Sequence, residues 1–400
     1  MKNIKFLSLI LVLTIFSCKI NTYTKKQVKI DDISKLEQYY NPFEKETIIK
    51  KYCEDFSNSD LKPHIKNPIN IAISNDGEIA YVLNSICDKH TFSNTFYTSC
   101  SNNNNPIIKR NFIYKITKDK KVEILKINGG APLSCHLGEE ITIDDKNNLY
   151  IADSLEHSIY KIENEKILLK IDLVKNIFKS PSYNSFRDVY QGPINFIINN
   201  NYLYFSRFNK NQDSANTDIF MLNLNDNKEN QIKNIFTDGR NSISNEDLYT
   251  YPKNIYSYNI YFNIYNNFIY IGGSEYLDLK KDNQNYYFNE KIKKEFFEIK
   301  KDDDYYHDFT KIIIDKTGQI YINYYNRKLI KIDQKTKEII GIIGSKELGY
   351  KDGKGEEAMF TYISGASFDK DNNLYVADTG NNAIRKITPD GVVSTFYKEE

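Results

Sequence analysis

Short apolar runs alternate with turns rich in Asp, Asn and Gly along much of the chain. Two copies of this pattern, at 141–153 and 366–378, read ITIDDKNNLYIAD and ASFDKDNNLYVAD and align without a gap. Turn residues of these types accept left-handed backbone and join two apolar runs, which predicts a β-hairpin in each copy. Chance is a poor explanation for a match of this length, so we interpret the pattern as an internal repeat.

Weaker copies share the apolar run, the polar turn and a second run with an aliphatic residue and a tyrosine. They lie at 71–82, 196–204, 312–322 and, in degenerate form, 262–271. The second-run tyrosines of all six copies stand at 81, 150, 204, 270, 321 and 375, in steps of 51 to 69 residues. Steps of this size suit units of four strands enlarged by insertions, because such a unit usually takes roughly 40 to 50 residues.

The last copy continues into two further strands. After Asp378 come a tight turn, the apolar run 383–387, a turn at 389–391 and the run 392–396. A four-stranded sheet alone has two exposed edges and too small a core, whereas radial stacking buries both of its faces. We therefore predict an all-β β-propeller of six four-stranded blades, with five to seven allowed. Helical periodicity of convincing length is missing between the copies, which argues against strand-helix architectures.

The last repeat also resembles a known family. Residues 369–387 read DKDNNLYVADTGNNAIRKI, and the loop DGKGEEAMF at 352–360 precedes them. This arrangement closely resembles an NHL repeat, which implies a β-propeller. The resemblance is good at 136–171, fair at 67–83 and 309–333, and poor at 210–300.

Two aspartates end the second strands of the clearest copies. Asp153 and Asp378 each stand before a turn. We expect them to accept hydrogen bonds from the backbone N–H groups of these turns, which is a structural role.

The N-terminus has the order of a secretory signal, with basic residues, an apolar run from Phe6 to Phe16, and then Ser17 and Cys18. The run is too short to span a hydrocarbon core of roughly 30 Å. The sequence IFSC that ends at Cys18 resembles a bacterial lipobox, which implies a diacylated, palmitate-bearing cysteine. An ordinary signal peptide is the alternative. We expect a lipid-anchored protein of the bacterial cell envelope, facing the periplasm or the outside.

Three segments follow from these features. We assign a lipoprotein signal peptide to 1–17, a tether and N-terminal extension to 18–66, and an NHL-type propeller to 67–400.

Charge and cysteine content narrow the function classes. Lys plus Arg is 54 and Asp plus Glu is 53, so net charge gives no reason to invoke nucleic acid. Beside Cys18 there are four cysteines, an even number that permits two disulfides in an exported chain. We favour a Cys87–Cys100 disulfide because both lie in one Asn- and Ser-rich insertion; buried thiols are the alternative. None of the spacings is that of a zinc site.

Polar residues occupy one position of the repeat where the family usually has glycine. Gly365 keeps the glycine, while the equivalent positions carry Asn70, Glu140, Asn195 and Lys311. First strands line the channel of a propeller, so these side chains are expected to converge at its mouth, and His136 could join them. Oxygen ligands of this kind suit Ca²⁺ or another divalent ion, although Lys311 would repel a cation. The alternative is that they bind channel water and one another.

Two functions remain open beside a purely structural role in the envelope. Insertions fall at 84–111, 174–192, 226–252 and 276–308, and the last of them carries aromatic clusters that suit contact with a protein, peptide or glycan. The first hypothesis is therefore a monomeric, non-catalytic binding or scaffold module without a cofactor. The second comes from a distant likeness to lactonase-type and amidating-lyase-type propellers, and it is a metal-dependent lactonase, esterase or lyase with its site at the channel mouth. Motifs of other catalytic classes are missing.

Overall fold

A computed structural model describes residues 65–87, 101–102, 105–106, 109–126, 137–153, 158–172, 195–211, 214–225, 233–237, 262–265, 268–271, 275–282, 285–288, 294–295, 309–324, 326–333, 336 and 339–399. The predicted signal peptide, Cys18, the tether, His136 and Cys100 lie outside these residues, as does the side chain of Cys87. Among the described residues, no helix is long and apolar enough to cross a membrane.

The described strands form six sheets of four or five antiparallel strands. The first three sheets contain β1 (Pro68–Ile73), β2 (Ile79–Cys87), β5 (Lys109–Thr117) and β6 (Val122–Ile124); β7 (Leu137–Ile143), β8 (Leu149–Asp153), β9 (Ser158–Glu163) and β10 (Lys166–Asp172); and β11 (Asn195–Asn199), β12 (Tyr202–Asn211), β13 (Ser214–Asn223) and β14 (Lys233–Thr237). A separate small hairpin, β3 (Ser101–Asn102) and β4 (Asn105–Pro106), lies between β2 and β5 in the chain.

The last three sheets repeat the same order. They contain β15 (Phe262–Tyr265), β16 (Phe268–Ile271), β17 (Glu275–Asp282), β18 (Asn285–Phe288) and β19 (Lys294–Glu295); β20 (Phe309–Ile314), β21 (Ile320–Tyr324), β22 (Lys328–Ile332) and β23 (Ile339–Ile343); and β24 (Gly353–Lys354), β25 (Ile363–Phe368), β26 (Leu374–Asp378), β27 (Ala383–Ile387) and β28 (Val392–Lys398). The six tyrosines of the sequence repeat lie on the second strands β2, β8, β12, β16, β21 and β26.

Neighbouring sheets pack face to face, so that apolar residues of one sheet meet those of the next. Ile71 of the first sheet shares a core with Tyr375 of the sixth, while Leu83 shares another with Ile141 of the second. Further cores join the second sheet to the third and the fifth to the sixth. The first strands of the third, fourth and fifth sheets also lie side by side. Because the last sheet packs on the first, the sheets close into a ring, and the predicted all-β β-propeller is confirmed.

The first hairpin of each clear repeat is organised by an aspartate inside its turn. The Asp369 carboxylate accepts the backbone N–H groups of Asp371 and Asn373 at 2.9 and 2.8 Å. Asp144 does the same in the second sheet. Asn372 has a φ of 59°, a left-handed conformation that Asn adopts more readily than most residues. This explains why the repeat places Asp and Asn at fixed positions between its apolar runs.

These hairpin turns also bind one another at one end of the ring. The Asn75 backbone N–H donates to Asn147 Oδ1 at 2.8 Å, and Lys370 N–H donates to the Asn75 carbonyl at 2.8 Å. Lys316 Nζ donates to Asn75 Oδ1 at 3.0 Å. Turns of the first, second, fifth and sixth sheets are thereby joined, so this end of the ring carries a hydrogen-bonded collar.

The predicted insertions need correction, because parts of them are strands of the sheets. β2 and β5 stay paired as far as Cys87 and Lys109, so the first insertion spans 88–108 rather than 84–111. The segment 276–308 contains most of β17, which pairs with β16 as the third strand of the fourth sheet. Likewise, 226–252 contains β14. The sequence pattern predicted loops here because these strands contain polar residues, such as Asn84 and Ser85 in β2 and Lys280 and Lys281 in β17. The insertion at 174–192 lies outside the described residues.

Candidate functional site

The described polar residues that were predicted to converge lie in the first strands of their sheets. Asn70, Glu140 and Lys311 stand in β1, β7 and β20, and Gly365 stands in β25. Four first strands, β1, β7, β20 and β25, have a register shift at this point, a β-bulge that sequence reasoning missed. A bulge changes the direction of the side chains beside it, and bulges occur often next to functional sites.

Three of the predicted residues contact one another. The Lys311 ammonium lies 3.1 Å from Glu140 Oε1 and 3.4 Å from Oε2. Asn70 Nδ2 donates to Glu140 Oε2 at 2.8 Å. Glu140 is 6% exposed and Asn70 is 2% exposed, so the contacts are shielded from solvent. The convergence that the repeat predicted is therefore present in the fold for these residues.

The ion pair joins sheets that face each other. Glu140 belongs to the second sheet and Lys311 to the fifth, and two sheets separate them along the ring in either direction. Their side chains must therefore meet across the central channel. Only 14% and 7% of the Lys311 and Glu140 side chains are exposed, so the pair is shielded from solvent.

Gly365 has a steric reason to lack a side chain. A Cβ at this position would lie 2.5 Å from Asn70 Cα, inside the contact distance of two carbon atoms. The Asn70 side chain is held in turn by its own strand, since Asn70 Oδ1 accepts the N–H of Ile71 at 2.8 Å. Glycine in the sixth sheet thus makes room for asparagine from the first.

Asn195 and His136 are the other two residues predicted at the channel mouth. Asn195 stands at the equivalent position of β11, is 2% exposed, and accepts a hydrogen bond from Ser206 Oγ at its carbonyl. His136 lies outside the described residues.

A resident divalent cation does not fit the described residues at this position. Both Glu140 oxygens already face the Lys311 ammonium, and Asn70 presents its Nδ2 donor rather than its oxygen to the carboxylate. Within the described part of the chain, no group of three or more His, Cys, Asp or Glu residues could hold a metal ion.

A second polar cluster, which sequence reasoning missed, lies in the sixth sheet. Arg385 is fully buried and donates to Asp378 Oδ2 at 3.1 Å and to Asp352 Oδ1 at 2.6 Å. It also donates to the carbonyls of Lys351 and Met359 at 2.8 and 3.1 Å. The guanidinium therefore ties the loop before β25 to the sheet. The I-R-K-I sequence of the repeat was the available signal.

Asp378 accepts backbone N–H bonds, as expected, but from a different segment. Its Oδ1 accepts the N–H of Thr361 at 3.1 Å, in the loop before β25 rather than in the turn after β26. The side chain of Asn381 in that turn donates to Oδ2 at 2.8 Å. Burial raises the pKa of Asp378, while these hydrogen bonds and Arg385 oppose the rise. The side chain of Asp153 lies outside the described residues.

Comparison with known proteins gives local matches. Protein SUPPRESSOR OF QUENCHING 1, chloroplastic, of Arabidopsis thaliana is 39% identical over 71 residues, which is 18% of this chain and 7% of that protein. NHL repeat-containing protein 2 of Gallus gallus is 38% identical over 78 residues, 19% of this chain and 11% of that protein. The chain thus spans about a tenth of the length of these relatives.

Among solved structures, luciferin-regenerating enzyme superposes with a TM-score of 0.44 at 11% identity, covering 80% of this chain and 86% of that chain. The sequence model of the NHL repeat matches residues 360–387. This range contains β25, β26 and β27 together with Asp378 and Arg385. The part of the sixth sheet from β25 to β27 in this β-propeller therefore matches an NHL repeat.

Proposed function

We propose that this chain is a lipid-anchored propeller of the bacterial envelope that acts as a non-catalytic binding or scaffold module for a protein, peptide or glycan. The observation that carries the proposal is the pairing of Glu140 with Lys311 across the channel. A carboxylate held by an ammonium and an amide is not poised to bind a metal or to take a proton from substrate. Recognition is then assigned to loops on the rim of the ring, which is common for rigid scaffolds.

The insertion at 88–108 is the loop best suited to a test. β2 and β5 are paired up to Cys87 and Lys109, so the loop can be replaced by Asn-Gly without removing a strand of the first sheet. A matched control is Glu165→Gly in the turn between β9 and β10, where Glu165 already has a φ of 62°.

The experiment compares capture of envelope proteins and of purified wall glycan by the parent chain, the loop replacement and the control. The proposal expects that the loop replacement loses at least one ligand which the parent and the control retain, while circular dichroism shows an intact ring. Equal capture by all three chains would remove this loop from the proposal. The same replacement would then be made at 238–261.

The alternative function, a metal-dependent lactonase, esterase or lyase, requires a divalent ion at the channel mouth. The Lys311 ammonium beside Glu140 counts against it. Elemental analysis of the purified chain and of Glu140→Gln decides between the two: a stoichiometric ion that disappears in the variant would favour the enzyme.

Anchoring is proposed from the sequence alone. Cys18 is assigned as the acylated residue, and the membrane fraction of cells fed a labelled fatty acid should contain the labelled chain. Cys18→Ser should abolish the label, whereas Cys53→Ser should retain it. Label on the Cys18→Ser chain would contradict the assignment.

The six sheets are taken as six blades of one monomeric ring. Light scattering coupled to size-exclusion chromatography of the chain without residues 1–18 should give the mass of a single chain. A dimer mass would refute the monomer.

A further inference from the structure

We propose that the Lys311 ammonium is a built-in substitute for a metal ion, and that it keeps the channel of this propeller closed to divalent cations. Removing this charge should then raise the affinity of the Glu140 carboxylate for a divalent cation. The inference concerns the channel and does not depend on the proposed binding function of the loops.

The position of the ammonium supports this inference. Lys311 Nζ lies 3.1 and 3.4 Å from the two Glu140 oxygens, so it faces both of them at once. A calcium ion bound by both oxygens of a carboxylate would occupy the same side, at 2.3–2.6 Å from them. The ammonium and the ion therefore compete for one place. Two positive charges held together in a shielded site also repel each other strongly.

The surroundings hold the lysine at this place. Glu140 and Lys311 extend from opposite sheets of a closed ring, so neither backbone can move aside without disturbing its sheet. The hydrogen bond from Asn70 fixes the carboxylate from a third sheet. An exposed lysine would leave a carboxylate readily when an ion approached, whereas the side chain of this one is only 14% exposed.

Removing the ammonium should expose hard oxygen ligands. Glu140 offers both carboxylate oxygens, which face the place that the ammonium would leave. Lys311→Ala leaves space for an ion with its waters, which Ca²⁺ accepts as ligands. Lys311→Met separates the effect of charge from the effect of space, because it removes the same charge but fills the space.

The test uses the full chain as wild type, Lys311→Ala, Lys311→Met, and Lys311→Ala with Glu140→Gln. Each is dialysed against graded CaCl₂ and analysed for bound calcium, and thermal unfolding is followed with CaCl₂ and with EDTA. We expect Lys311→Ala to bind one calcium at least about tenfold more tightly than wild type, since the charge removed lies beside a buried carboxylate. Its melting temperature should rise with calcium, and the double variant should lose both effects.

Three results would overturn the proposal. They are stoichiometric calcium in the wild type that disappears in Glu140→Gln, a folded Lys311→Ala that binds calcium no better than wild type, or calcium binding by Lys311→Ala that persists when Glu140→Gln is added. If Lys311→Ala does not fold by circular dichroism, Lys311→Gln replaces it, since it is neutral, of similar length and carries an amide oxygen. A folded Lys311→Gln without added calcium affinity would refute the proposal as well.

Discussion

Asp378 and Arg385 form a buried ion pair whose loss should be costly. Both side chains are fully buried, and Asp378 Oδ2 lies 3.1 Å from the guanidinium. Asp378→Ala leaves Arg385 with a charge in the protein interior and without its buried partner. Removing one member of such a pair usually costs about 3–5 kcal/mol, because the remaining charge stays uncompensated.

The structure places the expected cost within that range. Arg385 keeps two backbone carbonyls and the Asp352 carboxylate, but 49% of the Asp352 side chain is exposed, so solvent weakens this second ion pair. The variant also removes the acceptor of the half-buried Thr361 N–H, and the Asn381 amide loses one acceptor while it keeps its bond to the Gly349 carbonyl. These lost hydrogen bonds add to the cost, so we expect the free energy of unfolding to fall by about 3–5 kcal/mol.

Urea unfolding followed by circular dichroism and fluorescence measures this change, with agreement of the two signals as the check on two-state behaviour. The matched control is Asp390→Ala, which breaks the surface ion pair to Lys354 at 3.3 Å. Both members of that pair are more than half exposed, so the control should unfold at the same urea concentration as the parent. If Asp378→Ala also unfolds at the urea concentration of the parent, the buried cluster does not stabilise the sixth sheet.

Three further predictions concern the repeat and its core. Gly365→Ala places a Cβ 2.5 Å from Asn70 Cα and should cost about 1–3 kcal/mol in urea unfolding, whereas Gly341→Ala, whose Cβ would meet its nearest atom at 3.7 Å, should be tolerated. Asp369→Ala removes the acceptor of two backbone N–H groups in its turn and should cost about 1–3 kcal/mol in the same assay; an unchanged midpoint would contradict the capping role. Burial raises the pKa of Tyr114 to about 12, so stability present below the unfolded value of 10.0 should be lost as pH rises through about 12. Absorbance at 295 nm and circular dichroism should then show late-ionising tyrosines that titrate together with unfolding; a single transition near pH 10 in a folded chain would exclude this.

Most of the fold could be predicted from the spacing of the repeat. A polar turn between apolar runs is visible in sequence because both the turn and the strands constrain residue type, and it located the six hairpins. The equivalence of Asn70, Glu140 and Lys311 followed from the same alignment. Their distances did not, because side-chain direction at these positions depends on bulges that leave no mark in the pattern.

The missed features share a different cause. Several residues of β2 and β17 are polar, such as Asn84, Ser85 and Lys280, so a loop was predicted where hydrophobicity was the only guide. The role of Arg385 was missed because its partners Asp352 and Met359 lie 33 and 26 residues away in a loop without periodicity. Long-range polar contacts of this kind are set by the tertiary fold and not by local preference.

The contacts between the last sheet and the first affect the order in which this protein can fold. Asn67 N–H donates to Asn382 Oδ1 across 315 positions, and Thr379 Oγ1 donates to the Pro68 carbonyl across 311. The first sheet leaves the ribosome before the other five, yet one of its faces has no cover until the sixth sheet has followed. Contacts between distant residues form slowly, and an uncovered apolar face invites aggregation in the meantime. A chain cut short before β25 would keep that face exposed, so the C-terminal repeat decides whether the earlier sheets persist as a folded protein.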